Sequence, residues 1–219
     1  MTRIVGGTHA GRRLRVPRGE VRPSTERVRE AVFNMLSARD RLSGAVVLDL
    51  FAGSGALGIE ALSRGAASAQ FIDASRAACA AITENLDALG LSGRVVRRDL
   101  LAGAASLAGP AGGASPAGPA DHAGPAGPAD PPASPAGHHP LADLVFCDPP
   151  YVTAAPEVAA VLGGLRTTAM AAGASVVLER PSRDVWTWPD GFAPEWDRRY
   201  GDTHLYLARV VPAVARDGE

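Results

Sequence analysis

Four acids in this 219-residue chain follow or close apolar runs, and each has neighbours that suit it to hold a ligand. Asp49 lies near the end of the run Val46 to Leu50, ahead of Phe51, Gly53, Gly55 and Gly58. Asp73 closes the run AQFID, Asp99 falls within RVVRRDL, and Asp148 follows ADLVFC as the first residue of Asp148-Pro149-Pro150-Tyr151. If the runs are parallel strands, all four acids collect on one edge of the sheet, where open α/β sheets bind ligands.

The glycines relieve the sterics of a tight turn and let backbone approach a ligand closely. Gly53, Gly55 and Gly58 also spell GxGxxG, and Asp73 stands where a ribose-binding acid would, so a nicotinamide dinucleotide is one reading. Asp49 argues against it, because a carboxylate beside a helix N-terminus repels pyrophosphate but attracts an ammonium group. S-adenosylmethionine offers an ammonium, ribose hydroxyls and an adenine amine to Asp49, Asp73 and Asp99 in turn. In the second motif Pro149 and Pro150 stiffen the backbone and remove two N–H donors. That leaves carbonyls and the Asp148 carboxylate to accept from an exocyclic amine, with Tyr151 available to stack on its ring.

The elements that must position these groups follow from periodicity. Arg3 to Gly7 and Arg12 to Arg18 predict a hairpin, and Glu26 to Ser37 a helix with Val28, Val32, Met35 and Leu36 on one face. A strand at Val46–Leu50, a helix at Ala56–Arg64 ended by Gly65, a strand at Ala69–Asp73, a helix at Ala77–Leu89 and a strand at Arg94–Leu100 come next. Beyond residue 140 the expectations are a strand at Ala142–Cys147, a helix at Glu157–Ala172, a strand at Ala174–Leu178, and a hairpin of Glu195–Arg199 with His204–Val211. Arg180 is a candidate to face the cleft, and Trp186, Trp188 and Trp196 are read as packing residues. The predicted class is α/β, with residues 1–40 as a basic hairpin and helix extension and 41–212 as the main domain.

Residues 102–140 interrupt that domain. Ala, Pro and Gly fill 30 of these 39 positions, with AGPA repeated, so no face exists to bury and a disordered, dispensable insertion is expected. His122, His138 and His139 fall there without acids or cysteines at ligand spacing, and no metal site is predicted. Cys79 and Cys147 are too few for a disulfide framework. No leader pattern and no apolar run of membrane-spanning length is present, which predicts a cytoplasmic protein.

The net charge of −1 conceals an asymmetry: residues 1–30 carry eight arginines against three glutamates. Arginine's planar fork suits phosphate and base edges, so the arm is a candidate nucleic-acid surface, with a merely solvated face as the alternative.

The segments RIVGGTHAGRRLRVP, RPSTERVREAVFNML, LDLFAGSGALGIEALSRGA and FCDPPY together resemble the RsmD family of bacterial methyltransferases, which modify the N2 amine of a guanine in 16S ribosomal RNA. The resemblance implies a class I S-adenosylmethionine-dependent methyltransferase fold with a Rossmann-like seven-stranded sheet. It places Asp49, Phe51, Gly53 and Gly55 at the methionine end, Asp73 on the ribose, Asp99 by the adenine and Asp148 to Tyr151 at the target amine. Arg22, Thr25, Arg27 and Arg29 are implied near the RNA or the cleft mouth, joining Arg12 and Arg13 of the basic arm. The substrate is expected to be 16S rRNA, free or within the small ribosomal subunit or its assembly intermediate, and the protein to act as a monomer. The family more often carries Glu where Asp73 stands, and the insertion is outside its pattern. Rival readings are a DNA adenine-N6 methyltransferase, a ring-carbon methyltransferase with Cys147 as nucleophile, and a non-catalytic RNA-binding or nicotinamide-dependent protein.

Overall fold

The computed structural model describes residues 2–17, 26–102 and 140–212. Arg22, Thr25, the three insertion histidines and nearly all of the insertion lie outside the described residues.

Alternating apolar side chains build a seven-stranded sheet with two cores. Strands β3 (Val46–Leu50), β4 (Ser68–Asp73), β5 (Arg94–Arg97), β6 (Ala142–Cys147) and β7 (Met170–Pro181) run parallel, and the antiparallel pair β8 (Phe192–Tyr200) and β9 (Thr203–Val210) completes one side. The order is β5-β4-β3-β6-β7-β9-β8, so the chain leaves β3 in one direction and later returns through β6 on its other side. A crevice opens at that switch point, beyond the carboxyl ends of β3 and β6.

On one face Val47, Phe71, Phe146 and Val177 pack with α1 (Glu26–Ser37) and with Ile59 and Ile82 from helices α2 (Ala56–Ser63) and α3 (Arg76–Leu89). On the other, Leu48, Leu50, Val145 and Leu178 pack with Val158, Val161 and Leu162 of α4 (Ala155–Arg166). The central strands are apolar on both faces because helices cover both. Ser75 starts α3 by accepting from the Ala78 N–H at 3.2 Å, and Gly90 ends it at φ 64°.

The N-terminal arm is shorter in strand and longer in clasp than the periodicity suggests. Among the described residues of the arm only β1 (Thr2–Arg3) and β2 (Arg13–Leu14) pair as strands, and the loop between them wraps the end of α2. Ser63 donates its hydroxyl to the Gly6 carbonyl at 2.8 Å, accepts from the His9 N–H at 2.9 Å, and offers its own carbonyl to the Thr8 N–H at 2.8 Å. Ile4 and Leu14 join the α1 to α3 core, so the arm and the sheet share one apolar cluster.

Several element boundaries differ from the sequence expectation, three of them by the loss or gain of whole turns or strand segments. The fifth strand of the sheet starts at Met170, not Ala174, because Met170 pairs with Ala142 across a bulge. The sheet ladder therefore overrides the helical preference of the alanines at 169–172, and α4 stops at Arg166. Strand β5 ends at Arg97 instead of Leu100.

The clasp makes a prediction. A Cβ on Gly7 (φ +81°) would stand 2.0 Å from the Ser63 carbonyl oxygen, whereas on Gly11 (φ +80°) it meets nothing within 4 Å. Gly11→Ala should lower stability by about 1–2 kcal/mol from backbone strain alone. Gly7→Ala should lower it further, and urea unfolding midpoints of the two variants measure the difference.

Candidate active site at the sheet switch point

Asp49 is a buried polar group of the crevice, only 1% exposed. Its Oδ2 accepts from the Gly58 N–H at 2.8 Å. That approach requires glycine, since a Cβ at position 58 would lie 2.4 Å from the Phe71 ring and 3.0 Å from Asp49 Oδ2. Burial pushes the Asp49 carboxyl up to about 8, against the lowering effect of the Gly58 N–H and with help from the negative charge of Asp73. At neutral pH such an acid is mostly protonated, and a cation brought beside it would favour its ionised form.

The turn after β3 is strained where it lines the crevice. Phe51, not a glycine, sits at φ 57°, and Gly53 and Gly55 follow at 55° and 75°. Left-handed backbone at a bulky residue persists only where its surroundings impose it, and such strain gathers at ligand sites. Asp73 secures the turn, accepting from the Gly53 N–H and from the Ser75 N–H at 2.8 Å each. It thus holds the glycine turn and the start of α3 while lining the crevice.

Asp99 also lines the crevice but does not close a strand. It lies two residues past β5 and accepts from the Leu101 and Ala102 N–H groups at 2.9 and 3.2 Å, opening a helical turn. Asp49, Asp73 and Asp99 therefore share the crevice but sit at three different depths: buried inside β3, at the end of β4, and on an exposed cap.

Asp148, Pro149, Pro150 and Tyr151 form the opposite wall of the same crevice, which encloses roughly 690 Å³. The motif is held from behind. The Tyr151 hydroxyl shares a hydrogen bond with Thr203 Oγ1 at 3.0 Å, and Arg180 Nη2 donates to the Thr153 carbonyl at 2.8 Å just after it. Arg180, a candidate to face the cleft that the sequence left undecided, does not line it. It is buried on the far side of the sheet, with Asp184 Oδ2 2.8 Å away as its counter-ion.

Glu179 completes that wall, and it was not among the expected residues. It is 6% exposed and lines the crevice with Arg29 and Tyr151. The signal was available: Glu179 is an acid immediately after ASVVL, as Asp148 is after ADLVFC.

Arg29 corrects another expectation. It is 1% exposed, donates to the Arg3 carbonyl at 2.6 Å and has Glu60 3.8 Å away, so it is a buried part of the wall and is not available to an RNA phosphate. Arg12 and Arg13 are exposed on the arm, Arg12 donating to the Ala88 carbonyl at 3.0 Å, and Arg27 is exposed on α1. Cys147 is 1% exposed and its thiol is pushed up by burial and by Asp148, which leaves no thiolate for nucleophilic attack. Among the described residues no three His, Cys, Asp or Glu side chains cluster to hold a metal, and no helix is long and apolar enough to cross a membrane.

The family model described as "Conserved hypothetical protein 95" matches residues 2–111. The "Ribosomal RNA small subunit methyltransferase D" of Escherichia coli (strain K12) is 44% identical over 110 residues, which are 49% of this chain and 54% of that protein. By sequence the chain thus spans about half the length of that relative. Solved structures extend the likeness to nearly the whole fold. "Putative methyltransferase yhhF" from Escherichia coli superposes with a TM-score of 0.69 at 29% identity, covering 96% of this chain and 98% of that one. A hypothetical protein of Thermus thermophilus superposes with a TM-score of 0.67 at 29% identity, covering 96% of this chain and 100% of that one. The architecture is that of the class I methyltransferases.

Asp49 ties stability to pH with a definite sign. Its carboxyl lies near 8 in the folded chain against an ordinary 3.8, so folding takes up a proton between those values. The stability from this group is full below the lower value and is lost as pH rises toward the upper one. Asp49→Asn keeps an acceptor for the Gly58 N–H and removes the titration. Urea midpoints at several pH values between 5 and 8 should fall more steeply for the parent chain than for the variant, and parallel slopes would place the linkage elsewhere.

Proposed function

The chain belongs to the family described as conserved hypothetical protein 95, the RsmD family, and from that premise we propose that it is an S-adenosylmethionine-dependent methyltransferase acting on the N2 amine of a guanine in 16S ribosomal RNA. The observation that carries this reading is the meeting, in one crevice, of a buried acid poised for a cation and an amine-accepting motif. Asp49 and Asp148 open into it from adjacent strands.

The residues present fit S-adenosylmethionine, which when bound supplies an electrophilic methyl group on a positively charged sulfur. Asp49, whose carboxyl is pushed up to about 8, gains a partner for its charge in the methionine ammonium. The turn from Phe51 to Gly55 brings backbone close to that end. Asp73 keeps acceptor capacity for a ribose hydroxyl beyond the two N–H groups it already binds, and Asp99 stands at the adenine end. A dinucleotide fits less well, since Asp49 would face its pyrophosphate.

A guanine amine is a weak nucleophile because its lone pair is delocalised into the ring. Asp148 and the Pro149 carbonyl accept its N–H groups, localise the pair toward the methyl group, and give the proton it sheds a place to go. Tyr151 stacks on the base, worth on the order of 1–3 kcal/mol, and the target nucleotide is unpaired or flipped out. Orientation supplies much of the rest, an effect that reaches about 7–11 kcal/mol in well-aligned reactions.

The exposed Arg12, Arg13 and Arg27 supply phosphate contacts for the RNA. Arg22 and Thr25 lie outside the described residues and belong to the same proposed surface. The small ribosomal subunit or its assembly intermediate is the proposed setting, and the cytoplasm the proposed compartment.

Nucleoside mass spectrometry of 16S rRNA from a strain lacking the gene should show one N2-methylguanosine fewer than its parent, and restored methylation on DNA adenine alone would replace this reading. Asp148→Ala should slow transfer by roughly 10²-fold or more, the loss typical of removing one hydrogen bond aimed at developing charge. Its calorimetric affinity for S-adenosylmethionine should stay close to that of the parent. Affinity and rate falling together would move Asp148 to the cofactor.

A further inference from the structure

Asp148 follows Cys147 on β6, and Glu179 follows Leu178 on β7; Cys147 and Leu178 are paired neighbours in the sheet. Two carboxylates therefore leave adjacent parallel strands side by side and enter the same cavity wall. Arg29 shares that wall, 1% exposed, with its Nε a buried donor lacking a hydrogen-bond partner among the described residues. Tyr151, the stacking ring of the acceptor motif, has its hydroxyl 3.5 Å from Glu179 Oε1, and Thr203 Oγ1 lies 3.4 Å from the same oxygen. Ring and carboxylate are thus fixed relative to one another.

The wall presents two acceptors side by side. Guanine's Watson–Crick edge offers the matching pair, because its N2 amine and N1–H are adjacent donors. Adenine offers its amine beside an N1 lone pair, and cytosine its amine beside an N3 lone pair, so either base would bring a lone pair against the second carboxylate. Resting on the methyltransferase reading above, we propose that Glu179 is the specificity-determining residue of the acceptor pocket, taking the N1–H of the target guanine while Asp148 takes its N2 amine. Arg29, buried in the same wall, supplies a counter-charge for the pair. A site built to accept a particular N–H rejects analogues lacking it far more strongly than an apolar pocket can, because its own polar group is left unpaired.

2-Aminopurine separates the two carboxylates, because it keeps the 2-amine but carries a lone pair at N1 in place of the N1–H. The test uses full 16S rRNA, assembled by ligation with guanine or 2-aminopurine at the position that the parent chain modifies, and measures methyl transfer to each. The parent should favour guanine by roughly tenfold or more. Glu179→Gln, whose amide can donate to N1, should lower the guanine rate and bring the ratio toward one. Glu179→Asp, which keeps the charge, should keep the preference for guanine. Calorimetry with S-adenosylmethionine should give parent-like affinity for both variants. Equal losses on both substrates in Glu179→Gln, with the ratio unchanged, would reduce Glu179 to a structural support and overturn the proposal. A parent chain that forms no N2-methylguanine would overturn the proposal together with the reading beneath it, and so is distinguishable from the first failure.

Discussion

The placement of one carboxyl governs the architecture of the crevice. Asp49 is taken almost wholly out of water inside β3, and an ionised carboxylate there would be expensive without a partner. The Gly58 N–H is the partner that the fold provides, and it reaches Asp49 only because α2 has no side chain where it crosses Phe71. The bent path from Phe51 to Gly55 follows from the same demand, since the chain must turn from β3 into α2 within a few residues and leave the first turn of the helix over the acid. Asp73 then ties down the outside of that turn from the neighbouring strand. A glycine, a strained phenylalanine and a second acid are thus consequences of burying the first.

Much of this was legible in the sequence because it rests on local signals. The strand-turn-helix at 46–64, the acid that closes AQFID and the proline motif after ADLVFC are each written within a few consecutive residues, and the sheet carried them to one edge. Long-range contacts were not legible. Nothing near Met170 announces its pairing with Ala142, so the alanines around it read as helix. Arg29 reads as one more cation of a basic arm, and only the fold shows it shut between Glu60 and the crevice wall. Arg180, one residue from a cleft acid, points to the other face because strand neighbours alternate. Glu179 was legible in principle, by the rule that found Asp148.

The acceptor wall is braced from two directions. Thr203 on β9 holds the Tyr151 hydroxyl, and Arg180 on β7 holds the carbonyl of Thr153, so the segment after β6 is anchored to strands on its own side of the sheet. The cofactor wall is braced independently, by Asp73 and Gly58 on the other side. The two halves of the crevice meet where β3 pairs with β6. Preorganisation of this kind keeps reacting groups in place without spending binding energy to collect them.

The clasp at Ser63 bears on how the chain is made. The arm's hydrogen bonds reach partners 54 to 57 residues downstream at Gly6, Thr8 and His9, and 70 residues downstream where the Arg15 N–H meets Asn85. During synthesis the arm emerges before its partners and must wait until α2 and then α3 have cleared the ribosome before it can dock, a delay of several seconds at about 5–20 residues per second. Its apolar residues Ile4 and Leu14 stay uncovered throughout that interval. The arm is thus made ahead of its partners and becomes native only once they are in place.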